Sequence, residues 1–504
     1  MADATRLLGV VGVGAMGRGI AQIAAQAGIT VRLVDARPGA AAEARAGIAA
    51  ALRKLAEKGK LAAAEVDATV ERLVPSPGLA DLAGCEVVVE AIVEDLEAKR
   101  GLLRELEPIV GDGCVLATNT SSLSVTAMAA GLSRPERVAG FHFFNPVPLM
   151  KVVEVVAGLV TDGAVVDRLA ALAGRMGHTA VRAKDTPGFI VNHAGRGFGT
   201  EGLRLLAEGV TVVEDLDRIL RDTAGFKLGP CELMDLTGLD VSHPVMESVY
   251  RQFYDEPRFR PQPLTRQMVA AGLLGRKTGR GFYAYAEGAA VRSAEPPPSA
   301  ARPASVFVSR ARPELAARVS ALVSALGGRL DAGEAPSAGS LCLVTPVGED
   351  ATTCAVRERL DPARTVALDA VFDLERRRVV MTTPLTSGEA REAARGLLGS
   401  DGVPVTVIRD SAGLVAQRVV ATIVNIAAEI AQLRIAAPAD VDRAVVLGLG
   451  YPHGPLAWGD RLGPRVVLEI LDNVHALTRD PRYRPSPWLR RRAALGVSLL
   501  TPEE

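Results

Sequence analysis

The sequence predicts an α/β domain followed by an all-α domain, then a degenerate α/β segment and a second all-α copy. Three observations predict it: short β-branched runs alternate with amphipathic helical ones, the pattern turns helical after Pro187, and the second half echoes the first at a fixed spacing. At 504 residues the chain is too long for one ordinary core. With 48% apolar and 23% charged residues, it has the material for several globular cores.

The first element is "LLGVV", followed by "AMGRGIAQIAAQAG", "TVRLVD", and later "CEVVVEAI", "CVLAT" and "RVAGF". Strands alternating with helices imply a parallel sheet. Beyond Pro187, "TEGLRLLAEG" and "VEDLDRILRD" have helical periodicity, with few strand candidates before "GRGFYAYAEG". "EPPPSAARPAS" has the composition of an extended linker. "SVFVSR", "LCLVTPVG", "TVALDAVF" and "RRVVMTT" then predict strands again, and from Asp410 the chain turns helical once more.

The repeat is read by fixed offset. Asp185 matches Asp410, Asp217 matches Asp442, Pro230 matches Pro455, Asp235 matches Asp460 and Gly238 matches Gly463, each pair 225 residues apart. "DTPGFIVN" therefore returns as "DSAGLVAQ", and "GPCELMDLTG" as "GPLAWGDRLG". The expected divisions are a nucleotide-binding domain at 1–186, a helical domain at 187–286, a linker at 287–304, a degenerate α/β domain at 305–409 and a second helical copy at 410–500.

Composition narrows the function. Lys plus Arg equals Asp plus Glu at 58 each, and no basic run is interleaved with aromatics, so nucleic acid is not an expected partner. Five scattered cysteines without CxxC spacing argue against a zinc site or a disulfide framework and suit a reducing cytoplasm; no metal is expected. "LLGVVGVGAMG" is broken by glycines and lacks a basic leader beyond Arg6, so it reads as strand and turn. No charge-free apolar stretch is long enough to span a bilayer.

Chemistry begins at "GVVGVGAMGRGIA", where Gly12, Gly14 and Gly17 have GxGxxG spacing between a predicted strand and a predicted helix. The glycines let the turn tighten and the backbone approach a pyrophosphate at the positive helix end. Asp35 closes the second strand, where its carboxylate can accept from ribose hydroxyls and would repel a 2′-phosphate. The expected fold is a Rossmann-type domain, and the expected cofactor is NAD rather than NADP.

Ser121 lies in "TNTSSLS", in a loop on the ligand-binding side of an open α/β sheet; taken alone, such a serine is more often a helix N-cap. His142 ends a strand in "GFHFFNPVPLMKVVEVV", and Glu154 interrupts a run of valines. A buried carboxylate is costly unless paired, and His142 would be a fitting partner. Such a pair would hold one imidazole tautomer and stabilise the imidazolium.

"GVGAMGRGIA", "VVVEAIVED", "NTSSLS", "GFHFFNPVPLMKVVEVV", "DTPGFIVN" and "RKTGRGFY" together resemble the L-3-hydroxyacyl-CoA dehydrogenase family of fatty-acid and aromatic-acid degradation. The resemblance covers Arg6 to Tyr283 and recurs weakly to the end. It implies that Ser121 is the catalytic serine, His142 the base, Glu154 the carboxylate of the base, and Asn192 the substrate-contacting asparagine. His142 would take the 3-hydroxyl proton as hydride leaves C3, with Ser121 and Asn192 holding the substrate oxygens. Further cofactor contacts are implied at Glu94, Lys99, Asn145 and Lys277, and Lys58 is implied to touch coenzyme A. Without the resemblance, Lys58 and Lys99 would read as solvated helix faces.

After Asn192 the sequence reads "HAGRGFGTEG", and Arg196 lies four residues on, on a shared face if the helix is continuous. Small glycines would widen the acyl pocket, and Arg196 would meet a distal group such as the carboxylate of a dicarboxylyl-CoA. The second half has no His between His243 and His453, no GxGxxG between Ser305 and Arg409, and Gln417 in place of Asn192. Its expected role is packing, supplying within one chain the dimer surface of single-copy relatives, alone or within a homo-oligomer. His453 takes the repeat position of Leu228 and reads as structural. A dehydrogenase of a free hydroxyacid and a non-catalytic NAD-binding protein are the alternatives; coenzyme A binding separates the first, the presence of all four site residues weighs against the second. Nothing resembling an enoyl-CoA hydratase segment stands ahead of Met1, so one activity is expected.

Overall fold

The computed structural model describes residues 5–503. They form two compact units: unit 1 runs to His193 and takes up Leu433–Leu449, and unit 2 holds Ala194–Gln432 and the chain from Gly450 onward. A segment from within the expected second helical copy thus belongs with the nucleotide-binding domain.

The strands of unit 1 are β1 (Leu7–Val11), β2 (Thr30–Val34), β3 (Leu73–Pro75), β4 (Val87–Glu90), β5 (Val115–Thr118), β6 (Val138–Phe143), β7 (Val152–Ala157) and β8 (Thr179–Lys184). They form one sheet in the order β3-β2-β1-β4-β5-β6-β7-β8. The first six follow the doubly wound order, whose chain reversal beside β1 opens a crevice at the carboxyl ends of the strands. The core is a nearly continuous Val, Leu and Ile layer, including Leu8, Val10, Leu33, Val87 and Val89, as strands covered on both faces require.

One pairing departs from the expected parallel sheet: β6 and β7 are antiparallel. The residues between them, 144–151, are too few for the crossover of a dozen or more that parallel strands need. The reversal puts His142 directly opposite Glu154.

The helix Pro438–Leu449 packs on β7 and β8. Lys184 N donates to Ile435 O at 2.9 Å, and Gly448 leaves room for Val191, whose Cγ2 would lie 3.0 Å from an added Cβ.

Unit 2 is centred on the helix Val415–Gln432, buried on nearly every face, with Gln417, Arg418 and Asn425 buried among its apolar residues. It packs on the helices Arg196–Ala207 and Pro464–Thr478, joining the two helical copies. At that junction Arg418 and Glu201, both fully buried, lie 2.7 Å apart, and Tyr483 Oη donates to Glu201 at 2.7 Å. A hairpin of β9 (Ala284–Ala286) and β10 (Ala289–Val291) precedes the Pro-rich stretch. That stretch runs against the helix Gly388–Leu398: Arg395 Nη2 donates to Pro297 O at 2.9 Å, and a Cβ on Gly396 would lie 1.8 Å from Ala301 O.

The second sheet holds β11 (Val306–Val308), β12 (Leu341–Val344), β13 (Thr365–Leu368), β14 (Arg378–Thr382) and β15 (Val405–Ile408), in that order. Its pairings are parallel, parallel, antiparallel and parallel. The run β4 to β8 has the same sequence of pairings. The degenerate segment therefore repeats the second half of the first sheet, without counterparts of β1, β2 and β3 among the described residues.

Candidate active site

Within unit 1, the glycine loop, Glu94, Ser121 and His142 lie at or just beyond the carboxyl ends of β1, β4, β5 and β6. Gly12 follows β1 with φ +91°, and a Cβ there would lie 2.6 Å from Ala91 O. A Cβ on Gly17 would lie 1.9 Å from Gly12 O, whereas one on Gly14 would meet nothing within 4 Å. Gly12 and Gly17 are required by the protein's own packing, and Gly14 leaves open backbone at the start of the helix Ala15–Gln26. Amide groups at the positive end of a 12-residue helix, with no side chain in the way, fit a pyrophosphate. Asp35 Oδ2 accepts from Val13 N and Oδ1 from Arg37 N, both at 2.9 Å, which ties the acid to the glycine loop.

After β4, Glu94 Oε1 accepts from Thr120 Oγ1 at 2.8 Å, from Ser121 N at 2.9 Å and from Ser122 Oγ at 3.1 Å. Ser121 Oγ is 3.3 Å from the same oxygen. Burial opposes the charge on Glu94, but the Thr120 hydrogen bond, Lys99 and the serine loop outweigh it and hold the carboxyl below its ordinary value. Lys99 is no solvated helix face: it is buried, its Nζ 2.9 Å from Glu90 and 3.4 Å from Glu94.

His142 Nδ1 lies 2.6 Å from Glu154 Oε2, with both side chains buried. The other oxygen, Glu154 Oε1, accepts from Ile190 N at 2.9 Å and Val191 N at 2.8 Å. Three donors thus answer the desolvation of this carboxylate. The same bonds tie β7 to the turn that presents Asn192, whose Nδ2 is 3.4 Å from Ser121 O. Ser121, His142, Glu154 and Asn192 are joined in one structure. Asp185 secures the serine loop, accepting from Ser124 Oγ at 2.7 Å and Thr126 N at 2.8 Å.

Asn145 is exposed after β6, and Lys58 is exposed just past the helix Ala40–Glu57. Lys277 and Arg196 belong to unit 2. Lys277 is half-exposed and ion-paired with Asp240. Arg196 opens the helix Arg196–Ala207; Gly195 breaks the run from Val191–Ala194, so the continuous helix face expected from Asn192 to Arg196 is interrupted. Burial pulls the Arg196 guanidinium below its ordinary value, and Tyr451 acts in the opposite sense.

Sequence reasoning missed Glu90, which ends β4 and accepts from Thr118 Oγ1 as well as Lys99. It also passed over Asn119, whose Oδ1 accepts from Phe143 N at 2.9 Å. The signal for Glu90 was present: a carboxylate closing the valine run "VVVE".

Residues 7–186 match the family described as 3-hydroxyacyl-CoA dehydrogenase, NAD binding domain. Residues 188–285 and 413–498 each match 3-hydroxyacyl-CoA dehydrogenase, C-terminal domain. The chain belongs to the 3-hydroxyacyl-CoA dehydrogenase family. It is an NAD-dependent oxidoreductase acting on a CH–OH group, and both helical copies derive from this family's C-terminal domain. It is 38% identical over 489 residues to a 3-hydroxyadipyl-CoA dehydrogenase of Escherichia coli, covering 96% of this chain and 97% of that one. A probable 3-hydroxybutyryl-CoA dehydrogenase of Bacillus subtilis is 41% identical over 278 residues, 55% of this chain and 96% of its own. The crystal structure of a 3-hydroxybutyryl-CoA dehydrogenase from Escherichia coli superposes with a TM-score of 0.86 at 37% identity, covering 97% of this chain and 98% of that one. No helix among the described residues is long and apolar enough to cross a membrane.

Proposed function

We propose that the protein oxidises an L-3-hydroxyacyl-CoA to the 3-ketoacyl-CoA, with His142 as general base. The observation that carries this reading is the cross-strand pair: with Nδ1 committed to Glu154 at 2.6 Å, Nε2 is the nitrogen left to take a proton. The 3-hydroxyl O–H bond breaks with its proton passing to Nε2. The C3–H bond breaks with its electron pair leaving as hydride, and the C3=O double bond forms. Bound NAD supplies the hydride acceptor. Glu154 stabilises the imidazolium, and Ser121 and Asn192 hold the substrate oxygens.

Gly12, Gly14, Gly17 and Asp35 would hold the dinucleotide, with Glu94, Asn145 and Lys277 as further contacts and Lys99 acting through Glu94. Lys58 would meet coenzyme A. A role in fatty-acid or aromatic-acid degradation is in keeping with relatives named for 3-hydroxyadipyl-CoA and 3-hydroxybutyryl-CoA, and five unpaired buried thiols suit the cytoplasm. Arg196, a largely buried cation, would read a distal carboxylate on the acyl chain.

The second helical copy takes the part of a partner subunit within one chain. Supporting this, Lys184 N donates to Ile435 O and Arg409 N to Val210 O, both at 2.9 Å. Shifting each residue by 225 positions, in opposite directions, converts one bond into the other, as a two-fold related interface requires.

The test is NADH formation from a panel of L-3-hydroxyacyl-CoA thioesters and the corresponding free acids. Turnover of thioesters only is expected, with Arg196→Ala lowering the ratio of kcat/KM for 3-hydroxyadipyl-CoA over 3-hydroxybutyryl-CoA. Turnover of the free acids alone would reject coenzyme A recognition.

A further inference from the structure

The carboxylate of Glu94 gathers the serine loop although its side chain is 38% exposed. A carboxylate in that position would ordinarily swing into water, so something must fix it. Its second oxygen lies 3.4 Å from Lys99 Nζ, and Lys99 is almost completely buried. A buried ammonium facing only a half-exposed acid would be poorly compensated. Glu90 supplies the compensation: its two oxygens both lie 2.9 Å from Lys99 Nζ.

Glu90 is itself fixed by the sheet. It is the last residue of β4, buried, and accepts from Thr118 Oγ1 at the end of the neighbouring β5 and from Ile92 N at 3.3 Å. A chain of charges therefore runs from two paired strand ends through Glu90, Lys99 and Glu94 to the amide and hydroxyl of Ser121. We propose that Glu90 is a positioning residue for the dehydrogenase reaction, holding Lys99 so that Glu94 fixes the Ser121 hydroxyl toward substrate. The inference rests on the reading of Ser121 as the residue that holds the substrate oxygen.

With Gln at position 90, Lys99 keeps its charge but loses its nearer anion, and turns to Glu94. Glu94 is then drawn from the Thr120, Ser121 and Ser122 donors, and the Ser121 hydroxyl loses its fixed direction. Small misplacements of groups that orient a reaction cost roughly 10- to 100-fold in rate. Because the effect passes through Ser121, it has to vanish when the hydroxyl is already gone.

The experiment compares wild type, Glu90→Gln, Ser121→Ala and the double variant for kcat and KM with 3-hydroxybutyryl-CoA. The expected result is a kcat about tenfold lower in Glu90→Gln, KM within about twofold of wild type, and a double variant no slower than Ser121→Ala. An undiminished Glu90→Gln effect in the Ser121→Ala background would overturn the inference, as would a wild-type kcat in Glu90→Gln. If Ser121→Ala alone has wild-type kcat, the reading of Ser121 fails and the inference falls with it, a pattern distinct from the other two. Should Glu90→Gln not fold, Thr118→Val removes the hydroxyl that fixes Glu90 while keeping a strand-favouring side chain, and the same cycle applies with a smaller loss.

Discussion

The two sheets of this chain share the pairings of β4 to β8 but not the side chains set on them. In the first, His142 and Glu154 face each other across β6 and β7, and Asn192 reaches back to Ser121 O. In the second, a one-turn helix precedes β13 as one precedes β6, and counting from it sets Asp369 where His142 stands. Asp369 N donates to Val379 O, so a valine occupies the position of Glu154. Gln417, at the place of Asn192, fills the space by donating to Asp369 Oδ1 at 3.0 Å and Pro346 O at 3.1 Å while accepting from Gly348 N at 2.8 Å. Burial pushes the Asp369 carboxyl above its ordinary range, and Oδ2 has no hydrogen-bond partner among the described residues. What the duplicate retains is its joinery: Asp410 secures Ala351 N at 2.8 Å as Asp185 secures Thr126 N. A fold can thus keep its packing contacts without the His–Glu pair, because the two depend on different residues.

The largest effect that tests this contrast is at His142. His142→Gln should lower kcat by about 10²- to 10⁴-fold, the range of a general base, in a steady-state NADH assay with KM little changed. A variant as active as wild type would remove the mechanism.

Next is the ion pair between the helical copies. Under the 225-residue shift, Glu201 maps onto Ile426 and Arg418 onto His193, so the repeat does not carry the charge pair twice. Arg418→Met leaves the buried Glu201 with Arg482 at 3.3 Å as its remaining cation and should cost about 3 kcal/mol in chemical denaturation. Adding Glu201→Leu should recover only part of that loss, since an apolar residue already serves at the related position but the buried Arg482 loses the anion that faces it. No recovery would mean that the network does more than fill the junction.

A smaller effect reads the first helical copy by pH. Burial pushes the Asp217 carboxyl up to about 7, reinforced by Glu232 and opposed by hydrogen bonds from Cys231 N and Tyr283 Oη. An unfolded aspartate titrates near pH ~3.9. Between these values the folded chain binds more protons than the unfolded one, so stability falls as pH rises from about 4 to about 7. Asp217→Asn should flatten that slope in denaturation midpoints. The smallest effect is at Asp369: Asp369→Asn should keep wild-type kcat, and a loss above about tenfold would give the second half a part in catalysis.

Much of this was legible in the sequence because it is local. The glycine spacing, the strand runs of β1, β2, β4, β5, β6 and β7, and the carboxylate within "KVVEVV" are patterns a few residues long. β3 was not legible, since three residues with Val74 partly exposed make no pattern, and β8 reads polar because Arg182 and Lys184 point outward. The placement of 433–449 in unit 1 was not legible at all: nothing in "PADVDRAVVLGLG" distinguishes a helix packed on its own copy from one packed on β7 and β8. Glu90 was missed although the reasoning that found Glu154, a costly carboxylate among valines, applies to it equally.

The central claim is that one chain carries one working site. Isothermal calorimetry of NADH binding to the intact protein tests it most directly, because among the described residues the second sheet has no strands that would carry a glycine loop and an acid like Asp35. The account predicts one NADH bound per chain, and two per chain would contradict it.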